Sequence, residues 1–325
     1  MEQAAEPRRA IIVAGPTCSG KSTLALHLAQ RLGGTVINAD SMQVYRELRV
    51  LTARPTPAEE AMAPHALYGV RPAALPGNAA WWRDAALEAM AGSAVPILCG
   101  GTGMYLQALT KGLADIPDPG GPARSEARAL LETHGAAALH ARLCVADPAT
   151  AAQLRPSDGQ RIARAWEVWR GTGRGLAAWR ASSSGASGWR FLAILLDPPR
   201  PALRAAIAAR FDAMLAGGAV AEARALADLE LDPALPAMRA HGVPELMAYL
   251  RGELVLAEAV RRAVLATGQY TKRQATWFRH QHIADPNHTH IIHARYPSET
   301  QLSESLEDSF LTFLNVSVDH PASPA

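Results

Sequence analysis

The sequence of 325 residues is poor in cysteine and in net charge, and each shortage narrows what the protein can be. Three cysteines, Cys18, Cys99 and Cys144, form an odd and sparse set. Such a set argues against a disulfide framework and favours a reducing compartment. The net charge of +2 is too small to indicate nucleic acid by itself, so any nucleic-acid surface must be local. No internal repeat is visible.

A long apolar run is also missing near the start of the chain. The run that follows the polar residues 1–9, Ala10 to Ala14, is too short for a signal peptide or a membrane span. Apolar residues make up 49% of the chain, which is enough to bury a large core. We therefore expect a soluble cytoplasmic protein that is built as one elaborated domain or as two.

A phosphate-binding loop is the strongest local signal. It consists of Gly15, Pro16, Thr17, Cys18, Ser19, Gly20, Lys21 and Ser22, in the pattern G-x-x-x-x-G-K-[ST]. A strand-like run precedes it and a helical leucine pattern follows it. In such a loop the backbone N–H groups surround a phosphate chain, the lysine reaches the outer phosphate, and the serine can hold Mg²⁺. A plain Gly/Ser turn would not explain the Lys21–Ser22 pair.

Further buried strands are predicted at 35–39, 95–99 and 191–196, which indicates an α/β fold with a parallel sheet. Ligands in such sheets bind at the carboxyl ends of the strands. Asp40 follows the second strand, so it should lie beside the phosphate loop if the two strands are neighbours. It could cap the next turn, or serve as a general base or metal partner. A second glycine-rich turn, Gly100 to Tyr105, would face the same crevice.

The pattern changes near Ile116, where prolines and glycines interrupt the sheet pattern. Helical segments follow at 123–133, 136–143 and 157–171, and a Ser/Gly-rich linker follows at 182–188. We predict a discontinuous core, residues 1–115 with 189–295, and a helical insertion domain at 116–188. Residues 296–325 should form a short C-terminal helix, with a stripe from Leu302 to Leu314, and a disordered tail.

Two later stretches are ambiguous on their own. The basic helical segment 254–282 mixes cations with aromatics near its end, which suits either a solvated helix face or RNA contacts. Five histidines lie between His280 and His293. They could bind a metal, but a closing β-segment fits better, because Asp285 is the one carboxylate among them and no cysteine is near.

Taken together, the motifs resemble those of the bacterial tRNA dimethylallyltransferases. In chain order they are G-P-T-C-S-G-K-S, D-S-M-Q-V-Y, T-A-R-P, P-H, G-G-T-G-M-Y, D-G-Q-R-I-A-R-A-W-E-V, R-F-D-A-M-L-A-G-G and Q-Y-T-K-R-Q-A-T-W-F-R. The resemblance covers about residues 10 to 283. It implies a P-loop NTPase-like core with a helical insertion, and a monomer. It also implies transfer of a dimethylallyl group from dimethylallyl diphosphate to the adenosine 3′ of the anticodon in tRNA.

The resemblance assigns roles residue by residue. The phosphate loop would hold the diphosphate, with Thr17, Lys21 and Ser22 closest and Mg²⁺ on Ser22. Asp40 would be the general base, with Thr102 and Arg210 completing the catalytic set, Arg210 on the diphosphate. The expected contacts with tRNA are Asp40, Ser41, Met42, Gln43, Thr102, Arg124, Gln160, Arg161, Ile162, Ala163, Arg164, Lys272, Arg273, Gln274 and Arg279.

Some positions depart from the family pattern. Leu51 stands where a glycine is usual, Gly242-Val243-Pro244-Glu245 keeps only two motif residues, and Gly268 replaces a cation. Pro244 is expected to break a helix.

Two other classes of function stay open. A P-loop small-molecule kinase or ATPase could use Asp197 after the strand at 191–196, and a non-catalytic RNA-binding module would leave Lys21 and Asp40 unexplained.

Overall fold

The computed structural model describes residues 8–182 and 187–296. The expected C-terminal helix and tail and most of the predicted linker lie outside these residues. The chain divides into two compact units, Met1–Thr110 with Ser187–Ala325, and Lys111–Ala186. We call them the sheet unit and the helical unit. The helical unit begins a few residues before the predicted boundary at 116.

In the described part of the chain, six parallel strands form one sheet in the order β3-β2-β4-β1-β5-β6. They are β1 Arg8–Ala14, β2 Thr35–Asn38, β3 His65–Ala66, β4 Pro96–Gly100, β5 Trp189–Leu196 and β6 Thr289–Ile292. The four longest predicted strands and the closing β-segment among the histidines are confirmed. Strand β1 starts at Arg8, two residues before the apolar run Ala10 to Ala14 that indicates it in the sequence.

The strands are apolar because both faces of the sheet are covered. Successive side chains of a strand point to opposite faces. Ile12 and Leu98 therefore join one buried cluster with Trp82, whereas Val13 and Ile97 join another on the opposite face. Long apolar runs without alternation are typical of such parallel sheets.

Helices and short 3₁₀ turns connect the strands. The helices are α1 Lys21–Leu32, α2 Pro57–Met62, α3 Ala79–Ala91, α4 Gly103–Lys111, α5 Gly120–Ala146, α6 Pro148–Ala151, α7 Gly159–Thr172, α8 Leu176–Ala181, α9 Arg200–Ala216, α10 Ala219–Ala227, α11 Val243–Leu250 and α12 Leu256–His280. The 3₁₀ turns are Pro236–Arg239 and Pro286–His288. Within the described residues, no helix has the length and apolarity that a membrane span requires.

The expectation that Pro244 breaks a helix is wrong. Helix α11 starts at Val243, so Pro244 lies in its first turn, where the missing N–H has no intrahelical acceptor to lose. Gly242 caps this start with a φ of 95°, which favours glycine. Val243 is fully buried, so this departure from the family pattern lies in the core of the sheet unit.

The helical unit has a core of its own. Helix α5 is broken at Gly135, whose φ of 78° and ψ of 171° are not helical, and this break separates the two helices predicted at 123–133 and 136–143. The second half of α5 packs on α7 through Leu139, Leu143, Ile162 and Val168, all of them fully buried.

The functional motifs follow the carboxyl ends of the strands. The phosphate loop follows β1, Asp40 follows β2, the turn Gly100–Tyr105 follows β4, and Asp197 follows β5. Strand β4 lies between β1 and β2, so the two strands that carry Asp40 and the phosphate loop are not neighbours, contrary to the condition set above. The crevice is one strand wider than expected.

Candidate active site

The phosphate loop has the wrapped backbone that its glycines predict. Cys18 has a φ of 66° and Gly20 a φ of 91°, both in the left-handed region. Two of its N–H groups are used within the protein, because Thr17 donates to Oε1 of Gln274 at 2.9 Å and Ser19 donates to the carbonyl of Pro16 at 3.2 Å. Helix α1 begins at Lys21, so the first N–H groups of α1 have no intrahelical acceptor and offer a site for an anion.

Lys21 is buried at the start of α1. Its Nζ donates to the carbonyl of Pro16 at 3.4 Å. Burial lowers the pKa of Lys21, and the Asp40 carboxylate opposes that shift. A buried ammonium group close to orphan N–H groups is suited to neutralising a phosphate.

Asp40 is fixed by a short turn. Its N–H donates to Oδ1 of Asn38 at 2.8 Å, and its own Oδ1 accepts the N–H of Met42 at 2.9 Å. Asn38 is fully buried and also donates to the carbonyl of Leu67 at 3.1 Å. The structure is thus compatible with both hypotheses for Asp40, a cap of the turn and a group that takes part in chemistry. One of its carboxylate oxygens stabilises the turn, and its side chain lines the cavity described below.

Gln43 and Arg210 meet at the carbonyl of Thr52. Nε2 of Gln43 donates to this oxygen at 3.0 Å and to the carbonyl of Ala53 at 2.9 Å. Nη2 of Arg210 donates to the Thr52 carbonyl at 3.4 Å, and its Nη1 approaches Sγ of Cys18 at 3.9 Å. Arg210 therefore reaches the phosphate loop from α9.

These groups surround one cavity of about 340 Å³ in the sheet unit. Ten of the predicted site residues line it: Thr17, Cys18, Lys21, Ser22, Asp40, Ser41, Met42, Gln43, Arg210 and Arg273. One part of the lining is cationic and polar, and another is apolar, formed by Leu51, Ile207, Phe211 and Met214. The cavity combines an anion site with an apolar wall and a carboxylate.

Further lining residues were not predicted. Two come from the residues before α11, Arg239 and His241, and two from α12, Thr267 and Tyr270. The Tyr270 ring contacts the His241 ring at 4.8 Å between centroids and the Arg273 guanidinium at 5.5 Å. Burial raises the pKa of Tyr270 and lowers that of His241. A neutral aromatic pair thus forms one side of the cavity.

Thr102 and Gln274 lie at the site in a different way from the one expected. Oγ1 of Thr102 accepts the N–H of Ser41 at 2.9 Å, so Thr102 supports the Asp40 turn instead of lining the cavity. Gln274 is 4% exposed, and its side-chain amide accepts a hydrogen bond from the N–H of Thr17 and donates one to the carbonyl of Gly101. Its side chain is therefore occupied inside the protein.

The remaining cations of α12 differ in environment. Lys272 and Arg273 are exposed. Arg279 forms a two-pronged ion pair with Asp197, at 3.1 Å from Nε to Oδ2 and 3.0 Å from Nη2 to Oδ1. The carboxylate that the kinase alternative would use is thus neutralised by Arg279.

The other predicted contacts belong to the helical unit. Gln160, Arg161 and Arg164 are exposed on α7, whereas Ile162 and Ala163 are buried in the core of the helical unit. Arg124 is about half exposed and pairs with Asp118. A side-chain contact of Ile162 or Ala163 with RNA is not available in this structure, because the 3.6-residue period turns both inward.

Among the described residues, no group of three or more His, Cys, Asp or Glu side chains has the arrangement of a metal site. The histidines of 280–293 are spread along the end of α12 and β6. His288 contacts Arg190 at 2.7 Å, and Nδ1 of His293 lies 3.8 Å from Asp197.

The parallel sheet, the loop between β1 and α1 and the acid after a further strand define a P-loop NTPase-like protein. Several solved structures share this fold. The tRNA isopentenylpyrophosphate transferase of Bacillus halodurans has a TM-score of 0.66 at 29% identity, covering 96% of this chain and 98% of that one. A eukaryotic dimethylallyltransferase acting on tRNA has a TM-score of 0.80 at 24% identity, covering 98% and 81%, which supports the fold alone.

The sequence comparisons identify the family. A model described as IPP transferase matches residues 43–281, and one described as isopentenyl transferase matches residues 8–64. The tRNA dimethylallyltransferase of Acidiphilium cryptum is 61% identical over 311 residues, which cover 95% of this chain and 96% of that protein. The chain belongs to the tRNA dimethylallyltransferase family of prenyl transferases.

Proposed function

We propose that the protein transfers the dimethylallyl group of dimethylallyl diphosphate to the exocyclic amine of the adenosine 3′ of the anticodon in tRNA, releasing diphosphate. The observation that carries this proposal is that Asp40 lines the same cavity as Lys21 and Arg210. A carboxylate base for the amine and cations for the diphosphate are thus available to one bound pair of substrates. We place the reaction in the cytoplasm and assign it to a monomer.

The leaving group would be stabilised at the phosphate loop. In the reaction the C1–O bond of the allylic diphosphate breaks, and the oxygen keeps the electron pair. Lys21, Arg210 and the N-terminus of α1 would balance the charge that develops on the diphosphate. The apolar wall of Leu51, Ile207, Phe211 and Met214 offers a surface for the five-carbon chain.

The amine would attack from the side of Asp40. A new bond forms between the amine nitrogen and C1, and the amine proton passes to the carboxylate oxygen of Asp40 that does not bind Met42. An exocyclic adenine amine is a poor nucleophile, so a positioned base is expected to contribute about 10²–10⁴-fold. The adenosine must leave its stack to enter the cavity, where the ring pair His241–Tyr270 gives it an aromatic neighbour.

The residues present fit a magnesium ion. Ser22 is exposed and lines the same cavity as Asp40, and hard oxygen ligands are those that Mg²⁺ takes. Ser22 would hold the ion, which when bound would offset the charge of the diphosphate.

Contacts with tRNA are assigned to exposed cations, Lys272 and Arg273 on α12 and Arg161 and Arg164 on α7.

A single assay tests the proposal. The protein is mixed with Mg²⁺, dimethylallyl diphosphate and an anticodon stem-loop with adenosine at the expected position, without ATP. We expect mass spectrometry to show an added C5H8. Asp40→Asn should lower the rate constant by about 10²–10⁴-fold while the stem-loop still binds, because only the base is lost.

The same assay separates the alternatives. If the RNA gains no mass and a parallel tube shows ATP hydrolysis, the kinase or ATPase function replaces this proposal. An unchanged rate in Asp40→Asn removes Asp40 from the mechanism. Asp212→Asn is the matched control, because Asp212 is exposed on α9 and lies outside the cavity lining.

A further inference from the structure

The phosphate loop is held from outside by the residues that follow β6, which we call segment 293–296. Nε of Arg295 donates to the carbonyl of Cys18 at 2.8 Å. The backbone N–H of Tyr296 donates to the carbonyl of Ser19 at 2.9 Å. Two consecutive carbonyl groups of the loop thus have donors from a segment more than 270 positions further along the chain.

The contact is close and includes the main chain. A Cβ added at Gly20 would lie 2.5 Å from the carbonyl oxygen of Tyr296 and 2.8 Å from its Cβ. Tyr296 is 4% exposed and belongs to the buried cluster of Leu24, Leu196 and Ile292. Gly20 therefore has two reasons to be glycine, its φ of 91° and the approach of segment 293–296.

The direction of these carbonyl groups matters for anion binding. A loop that cradles phosphate must point its N–H groups inward and its carbonyl groups outward. Cys18 holds a left-handed φ of 66° without being glycine, and such a residue persists only where its surroundings fix it. Arg295 and Tyr296 bind the carbonyl group of this strained residue and that of the next residue, Ser19, so they oppose a flip of either peptide that would aim an oxygen at the ligand.

We propose that Arg295 and the main chain of Tyr296 are positioning residues that preorganise the phosphate loop for the diphosphate. Preorganisation strengthens binding because the loop need not be ordered when the ligand arrives. This inference rests on the proposed function, since it takes the loop as the diphosphate site. Neither residue lines the cavity, so both act through the loop.

The test measures binding of inorganic diphosphate with Mg²⁺ by isothermal titration calorimetry. The variants are Arg295→Ala, Arg295→Lys and the matched control His293→Ala, which removes an exposed side chain from the same segment. We expect Arg295→Ala to weaken diphosphate binding by about tenfold, the worth of one hydrogen bond that involves a charged group. Arg295→Lys should recover part of the affinity, and His293→Ala should match the wild type.

Steady-state kinetics give a second readout. Arg295→Ala should raise KM for dimethylallyl diphosphate and leave KM for the stem-loop unchanged, whereas a loss of folded protein would lower the rate without changing either KM. Wild-type affinity for diphosphate in Arg295→Ala overturns the inference. If the wild type itself binds no diphosphate, the proposed function fails first, and the two failures are thus distinguishable.

Discussion

Gln274 joins two glycine-rich turns through one side-chain amide. Its Oε1 accepts the N–H of Thr17 and its Nε2 donates to the carbonyl of Gly101, both at 2.9 Å. The side chain is almost fully buried, so both bonds are made away from water. A buried polar group that loses its partner costs about 1–3 kcal/mol. Gln274 therefore fixes the phosphate loop relative to the turn that follows β4.

We predict that Gln274→Glu destabilises the protein and weakens diphosphate use. Glutamate keeps the shape and the acceptor for Thr17, but its second oxygen faces the Gly101 carbonyl, and two acceptors repel each other. The free energy of unfolding should fall by about 2 kcal/mol or more, and KM for the allylic diphosphate should rise. Urea unfolding at pH 8 and steady-state kinetics measure the two effects.

Gln269→Glu is the matched control for this change. Gln269 is exposed on the same helix, so the same substitution should alter the unfolding free energy by less than about 0.5 kcal/mol. Equal costs at positions 269 and 274 would show that the amide bonds of Gln274 contribute little.

Helix α12 divides its functions between two faces. Thr267, Thr271 and Gln274 recur at intervals of three or four and are buried, whereas Lys272 and Arg273 are exposed. Trp277 packs on the turn after β4, since a Cβ at Gly103 would lie 2.3 Å from its ring. The sequence suggested this helix as an RNA contact. In our proposal its exposed face contacts RNA, and its buried face supports the active site.

The sequence was sufficient for five of the six strands that the structure describes and for the motif residues. It did not predict the two-residue strand β3 or the position of β4 between β1 and β2. It also held a signal that was not used: Ile207 and Met214 lie three and four positions from Arg210 in α9, so the helical period places them on the same side as that arginine. The partners of Gln274 and Arg295 could not be read in this way. Each of these residues contacts the phosphate loop from 257 or 277 positions away in the sequence. The periodicity of a local segment does not indicate which distant turn one of its side chains contacts.

His241, which lies between the 3₁₀ turn Pro236–Arg239 and α11, should make the free energy of unfolding depend on pH. Burial lowers the pKa of His241, Arg273 lowers it further, and the nearby carboxylates of Glu245 and Asp40 oppose the shift. The unfolded chain then takes up a proton on this histidine at a higher pH than the folded chain does. The stabilising contribution of neutral His241 to the free energy of unfolding is therefore present above the unfolded pKa near 6.5. It is lost as the pH falls below that value.

We predict that the unfolding free energy of the wild type falls more steeply between pH 7 and pH 5.5 than that of His241→Asn. The difference in slope should stay below about 1.4 kcal/mol per pH unit, the limit for one proton. Urea unfolding across this range provides the measurement. The exposed His282→Asn is the control, and a slope for His241→Asn equal to that of the wild type would contradict the prediction.

At the scale of the whole molecule, each buried cluster in the described part of the chain draws its members from one unit only. The clusters on the two faces of the sheet come from the sheet unit, and the third large cluster comes from residues 116–179. Leu139, Leu143, Ile162 and Val168 are fully buried, and the cluster to which they belong contains residues of the helical unit only. The helical unit thus has the property that independent folding requires, a core that it does not share.

We therefore predict that the excised segment 111–186 folds alone, with helical far-UV circular dichroism and a cooperative thermal transition. Leu139→Ala should lower the unfolding free energy of this segment by about 2–5 kcal/mol, because it leaves a cavity in the core. Val145→Ala, in the same helix but 87% exposed, should change it by less than about 0.5 kcal/mol. A broad melt that is the same in both variants would mean that the helical unit needs the sheet unit to form its core.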